Sequence, residues 1–274
     1  VSATPDLSAI LVDLAAEHED LDRIVAPLDA AAWETPTPAD GWAVRDQVGH
    51  LAFFDREAVR ALTDPDGFNA GLAELLQDPE GWMARTVEEG LALPPADLLA
   101  LWRERRTALI DGARGVDPKQ RIPWYGPPMG AMSFLSARLM ETWIHGQDVA
   151  DALGVERTPT SRLRHVAHIA VRARAFNYTQ HGRPVPDAEV RVELQAPGGD
   201  LWTWGPDAAP DRVSGAAEEF CLVTTQRRHL ADTDLRVEGE HAAEWMAIAQ
   251  AFAGPPGPGR QPGQFPRRGA ARTG

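Results

Sequence analysis

The chain has 274 residues, 43% of them apolar, enough for one large or two ordinary soluble domains with a buried core. Its 27 Lys and Arg stand against 40 Asp and Glu, a formal charge of −13. That is the wrong sign for neutralising a phosphate backbone, so no nucleic-acid partner is expected.

No basic-then-apolar leader opens the sequence, and no apolar run approaches the roughly 18 residues that span a bilayer, so no membrane partner and a cytoplasmic location are expected. From Asp6 to about Leu28 apolar residues recur at helical spacing (Leu7, Ile10, Leu11, Leu14, Leu21, Ile24, Val25), which predicts an amphipathic helix. His18, among Glu17, Glu19 and Asp20, reads as part of its solvated face. Trp33 to Gly41 is a loop, and Val44 to Leu62 resumes the helical period. Asp64-Pro65-Asp66-Gly67 is a turn, a weaker helical pattern covers Phe68 to Glu89, and Pro94-Pro95 opens a helix from Ala96 to Ala113. Val116 to Gly130 holds four Pro, two Gly and the pair Trp124-Tyr125, so it reads as a loop. A helix follows from Met132 to Leu153, ended by Gly154 in a left-handed cap, and another runs from Ser161 to His181.

Beyond Gly182 the period becomes two. Val190, Val192 and Leu194 alternate with polar residues, and Pro197 to Asp200 turns the chain into Leu201-Trp202-Thr203-Trp204, a β-hairpin. Trp202 and Trp204 share a strand face, which reads as core or interdomain packing. Ala216 to Arg227 predicts a helix, Asp234 to Glu238 a strand, and Ala242 to Phe252 a last helix. Residues 254–274 contain six Gly, five Pro, four Arg and no acid, which predicts a disordered tail. Without it, 1–253 has 23 basic against 40 acidic residues, a net of −17. The expected class is α+β, mostly α, with a helical domain over 1–182, a small α/β domain over 183–253 and the tail over 254–274.

Lys119 is the sole lysine and sits in the turn-like Asp117-Pro118-Lys119, which excludes Schiff-base chemistry; the remaining basic residues are arginines, suited to carboxylate recognition. The single Cys221 rules out an internal disulfide or multi-cysteine metal site, fits a reducing compartment and reads as core. Glu141 and His145 stand four residues apart on one helix face, flanked by Arg138 and Asp148. His50 lies mid-helix among Val48, Leu51, Phe53 and Phe54, where an imidazole needs a partner. Together His50, Glu141 and His145 can hold one divalent metal, leaving a position open for water or substrate as in catalytic zinc sites; iron also accepts this set. The plainer reading, a solvated Glu141–His145 pair and a hydrogen-bonded core His50, stays open on spacing alone. Asp46, one turn before His50, and Asp148 are candidate orienting partners, with a helix-start acid as the alternative for Asp46. Trp124 and Tyr125 read as a lid, a pocket wall or loop anchors, His165 and His168 as structural, and His181, His229 and His241 as boundary or surface residues.

Three stretches together carry a resemblance: Trp42-Ala43-Val44-Arg45-Asp46-Gln47-Val48-Gly49-His50-Leu51, Arg138 to Val149, and Ala217 through Thr225-Gln226-Arg227 to Leu235-Arg236-Val237-Glu238-Gly239. Over about 1–253 the chain resembles the maleylpyruvate isomerase family of mycothiol-dependent enzymes, DinB-like up-down four-helix bundles followed by a sterol-carrier-like α/β domain. The resemblance implies zinc on His50, Glu141 and His145, mycothiol as thiol co-substrate and a small-molecule substrate. It also implies a catalytic arginine at Arg227, preceded here by Gln226 where the family usually has Gly, with Arg228 the adjacent candidate. An external thiol suits a chain whose one cysteine reads as core. The expected function is thus a metal-dependent, mycothiol-dependent enzyme working by thiol addition, isomerisation or transfer on a small anionic molecule. A metal-dependent hydrolase, or a non-enzymatic small-ligand binding protein with a structural metal, are the alternatives. The Arg-rich, Lys-poor composition is consistent with an actinobacterial source.

Overall fold

The computed structural model describes residues 7–78, 81 and 88–265. The chain divides into two units, Val1–Arg157 and Thr158–Gly274. The first contains α1 (Ser8–Val25), α2 (Ala30–Trp33), α3 (Val44–Thr63), α4 (Pro65–Gln77), α5 (Pro95–Ala113) and α6 (Ala131–Leu153). Among the described residues, the long helices α1 and α3 each pack against both α5 and α6. Leu21, Val48, Leu51, Leu98, Trp102 and Val149 meet in the core between them, each sheltered apolar side chain contributing about 1.5–3 kcal/mol.

Local chemistry sets the helix ends. The Asp46 carboxylate accepts the Ala43 N–H at 2.7 Å and so closes the first turn of α3. Pro95 takes the first turn of α5, where its missing N–H costs nothing. Gly154 ends α6 in the left-handed conformation, φ +66°, with its N–H returned to the carbonyls of Ala150 and Asp151. The helical pattern over Phe68 to Glu89 becomes α4, which starts earlier at Pro65, while 79–80 and 82–87 lie outside the described residues. Val116 to Gly130 is more ordered than a loop: β1 (Arg121–Ile122) and β2 (Met129–Gly130) pair antiparallel.

His18 corrects the sequence reading. It is only 2% exposed, and Glu17 and Asp22 are buried beside it. The acidic stripe of α1 turns inward because arginines distant in sequence meet it there. Arg157 pairs with Glu17, Arg103 grips Asp22 through two bonds of 2.7 and 2.8 Å, and Arg106 reaches Asp22 at 2.7 Å. His18 Nε2 lies 3.9 Å from Asp55 Oδ2, whose other oxygen accepts Arg138 Nη2 at 2.9 Å. Desolvation outweighs the Asp55 charge and lowers the His18 pKa to about 4.

The second unit contains α7 (Leu163–Arg172), α8 (Arg174–Gln180), β3 (Val190–Gln195), β4 (Leu201–Trp204), β5 (Asp211–Ala216), α9 (Ala217–Thr224), β6 (Arg236–Glu238) and α10 (Glu240–Ile248). The helix expected from Ser161 to His181 is broken at Ala173 into α7 and α8. The sheet runs β4-β3-β5-β6: β4 forms the expected hairpin with β3, β5 lies parallel to β3 and β6 antiparallel to β5. α7 packs on α9 and α8 on α10, so both helices group with the sheet, and the expected boundary at 182/183 falls after them. Trp202 is buried, and Trp204 Nε1 donates to His168 Nδ1 at 3.2 Å, giving that histidine a structural partner. Residues 254–265 form neither helix nor strand, yet they are tied to the unit rather than disordered. Gln180 donates to the Gly254 carbonyl at 2.9 Å, and the Gly263 N–H reaches the Asp232 carboxylate at 2.8 Å. Residues 266–274 lie outside the described residues. No described helix is long and apolar enough to cross a membrane.

Candidate metal centre

α3 and α6 lie side by side, and their facing polar residues converge. His50 comes from α3; Glu141 and His145, one turn apart, come from α6. One ligand atom from each lies within 4.8 Å of the other two. The His50 and His145 ring centroids are 4.5 Å apart, and His145 Nε2 stands 3.4 Å from Glu141 Oε2. The solvated-pair reading is therefore set aside, because His145 is buried and faces His50 as well as Glu141.

The surroundings orient the imidazoles. His145 Nδ1 is 2.6 Å from Gln47 Oε1, and Gln47 is fully buried. A carboxamide oxygen can only accept, so an amide with its oxygen on this side takes the Nδ1–H of His145 and leaves Nε2 as the atom that faces Glu141. The 3.4 Å between Nε2 and the carboxylate is a gap that a proton bridges as an ion pair and that a metal cation fills in its place. Two imidazoles and a carboxylate at this spacing thus fit a divalent metal such as zinc.

Trp42 lies nearly parallel to His145, at 6.0 Å and 14°, and packs on His50 at 5.1 Å; Phe54 covers the other side of His50 at 4.5 Å. Trp124 and Tyr125 extend this aromatic wall through Phe54, at 6.1 and 5.7 Å, and Phe68 stacks on Trp124. Tyr125 donates to Glu57 at 3.4 Å, and burial, reinforced by that negative charge, pushes the phenol pKa up. Tyr125 also lines a polar cleft of about 800 Å³ with Arg56, Glu57, Arg60 and Phe68.

Of the expected orienting partners, Asp46 is a helix cap, and Asp148 is fully buried on α6. Gln47, which spacing did not single out, is the residue that meets the His145 imidazole. Its sequence signal is an amide three residues before His50 and directly beside Val48, inside an apolar stripe.

Arg227 and Arg228 belong to the second unit. Arg227 is buried, donates to the Thr225 carbonyl at 2.8 Å and lies over the Phe252 ring. Arg228 donates to the Arg227 carbonyl at 2.7 Å and lies over Phe265 at 4.3 Å. Gln226 is the non-glycine residue with positive φ among the described residues, +60°. A side chain there costs about 1–2 kcal/mol, which is why glycine suits the position.

Residues 14–150, which contain all three converging ligands and Gln47, match the family model described as the mycothiol maleylpyruvate isomerase N-terminal domain. The chain belongs to the mycothiol maleylpyruvate isomerase family. Residues 186–237 match a model described as wyosine base formation. An uncharacterized protein of Mycobacterium tuberculosis, from strains CDC 1551 / Oshkosh and ATCC 25618 / H37Rv, is 47% identical over 255 residues, covering 93% of this chain and 99% of its own length. Crystal structures of the mycothiol-dependent maleylpyruvate isomerase and of a mutant of it share the fold, with TM-score 0.55. They are 18% and 17% identical, covering 82% of this chain and 90% of theirs. The family supports an enzyme that works with a low-molecular-weight thiol and a small molecule, and the mostly helical α+β class matches these structures.

Proposed function

We propose that the chain is a zinc-dependent enzyme that uses mycothiol as co-substrate on a small anionic molecule, by thiol addition followed by isomerisation or transfer. The observation that carries this is the convergence of His50, Glu141 and His145 within 4.8 Å, with Nε2 of His145 facing the Glu141 carboxylate. Zinc bound there supplies Lewis acidity, lowering the pKa of a thiol or polarising a substrate carbonyl.

The chain's own residues do the rest. His50 and His145 would hold the ion through ring nitrogens, and Glu141 would offset one of its two positive charges. Trp42 and Phe54 flank the imidazoles and limit water on two sides. Cys221 takes no part, because it is fully buried and burial raises its pKa, so the nucleophilic sulfur comes from outside. In isomerisation the thiolate adds to an activated double bond, the new single bond rotates, and elimination restores both the double bond and the thiol. Arg227 or Arg228 is the catalytic arginine of this reading, a planar, permanently charged fork of the kind that suits a carboxylate.

The test is elemental analysis of protein purified without added metal, with His50→Ala alongside. About one zinc per chain in the parent and none in the variant is the expected result. Iron instead of zinc overturns the metal assignment, and no metal in either protein overturns the whole reading in favour of a binding module. A thiol balance then separates the reaction types. An isomerase regenerates its thiol, a transferase consumes it stoichiometrically, and a hydrolase ignores it.

A further inference from the structure

We infer that Gln47 is a positioning residue, the last link of a hydrogen-bond relay that holds His145 in its ligating tautomer; this rests on the metal-centre reading above. The relay starts at the Trp42 carbonyl, which can only accept. Thr37 Oγ1 donates to it at 2.8 Å and thereby spends its one proton. The same oxygen must then accept from Gln47, and Gln47 Nε2 lies 2.9 Å away. With its nitrogen committed to Thr37, the Gln47 carboxamide turns its oxygen to His145 Nδ1 at 2.6 Å. In the flipped network the Thr37 hydroxyl turns to the Gln47 oxygen, the Trp42 carbonyl keeps the Thr37 N–H, and Nδ1 accepts from the amide, so the two networks differ in which His145 nitrogen carries the proton. In the network proposed here the proton sits on Nδ1 and Nε2 is left to ligate; a parent His145 protonated at Nε2 alone overturns the proposal.

The loop that anchors the relay is itself closed. The Thr37 N–H also donates to the Trp42 carbonyl at 2.7 Å, Trp42 N–H returns to Ala39 at 3.0 Å, and Pro36 bridges Ala43. Trp42 therefore serves His145 twice, its carbonyl polarising the relay and its indole packing against the imidazole ring. A buried amide with both ends bonded is costly to disturb, which makes the relay rigid rather than adaptable.

The experiment uses the full chain, metal-free, and reads the His145 tautomer by long-range ¹H–¹⁵N correlation NMR and zinc affinity by competition with a chromophoric chelator. Gln47→Leu removes the acceptor, Gln47→Glu keeps it, and Thr37→Val removes only the polarising link. In the parent, His145 is protonated at Nδ1. Gln47→Leu is expected to lose that signature and bind zinc about 10–100-fold more weakly. Gln47→Glu keeps an oxygen at Nδ1 while losing the N–H to Thr37, so it is expected to keep the Nδ1 proton with a smaller loss of affinity, and Thr37→Val gives a smaller loss of each. A role limited to packing would lower thermal stability in Gln47→Leu while leaving the tautomer and affinity unchanged, and that result overturns the proposal. If the parent binds no zinc, the metal-centre reading fails, and the tautomer measurement alone upholds or overturns the relay.

Discussion

Two buried polar clusters are strung along the same pair of helices. Toward the start of α3, Gln47 and His50 face Glu141 and His145 of α6; five residues after His50, Asp55 faces Arg138 of α6 and His18 of α1. The second cluster carries its own cation, the Arg138 guanidinium, which pairs with Asp55 at 2.9 Å. The first gathers two imidazoles and a carboxylate around one point, a set of donors with no cation of the chain's own among them. One cluster is thus built for cohesion and the other for a guest, and the difference lies in which partner the chain supplies.

The sharpest way to break the comparison is to remove a member of each cluster and read both metal content and stability. His145→Ala should abolish stoichiometric zinc binding, measured by elemental analysis; retained metal at unchanged affinity sinks the assignment. Asp55→Leu should do the reverse, leaving Arg138 buried without its counter-charge and lowering unfolding free energy by about 3–5 kcal/mol in a denaturant titration. An unchanged midpoint would show that the cluster contributes no cohesion.

A smaller effect is expected from acid. His18 has a folded-state pKa lowered from 6.5 to about 4, so the unfolded chain binds the extra proton between those values. Its contribution is fully present above pH 6.5 and is lost as the pH falls toward 4, about 3 kcal/mol over the window. His18→Gln should flatten that slope in denaturant midpoints taken across pH 4 to 7. Smallest of all, Asp46→Ala removes the cap on α3 and should cost about 1 kcal/mol of stability with zinc stoichiometry intact. A loss of metal in that variant would return Asp46 to the site.

The convergence of His50, Glu141 and His145 was legible because Glu141 and His145 share a helix face by spacing alone, and because an imidazole at His50 stands out in an apolar helix. Gln47 was not, since a neutral amide draws no attention beside a carboxylate at Asp46, and the bond that decides between them spans 98 residues. His18 misled for the same reason: its charged neighbours are local, whereas Arg138, Arg106 and Arg157 come from the other end of the unit. Five long helices and the β3–β4 hairpin were visible in their periods. β5 was not, because Asp211-Arg212-Val213-Ser214-Gly215-Ala216 has one large apolar residue and becomes a strand by pairing with β3. Nothing in Arg172-Ala173-Arg174 marks the break between α7 and α8, with neither Gly nor Pro present.

Cys221 sits at zero exposure in α9, its sulfur directed at the Leu163 carbonyl and its thiol kept protonated by burial. A disulfide-exchange dye added to the folded protein therefore meets no protein sulfur, so every equivalent it registers belongs to the added thiol. The same dye becomes a stopwatch once the chain opens, because one equivalent per molecule is released at the rate at which the second unit comes apart.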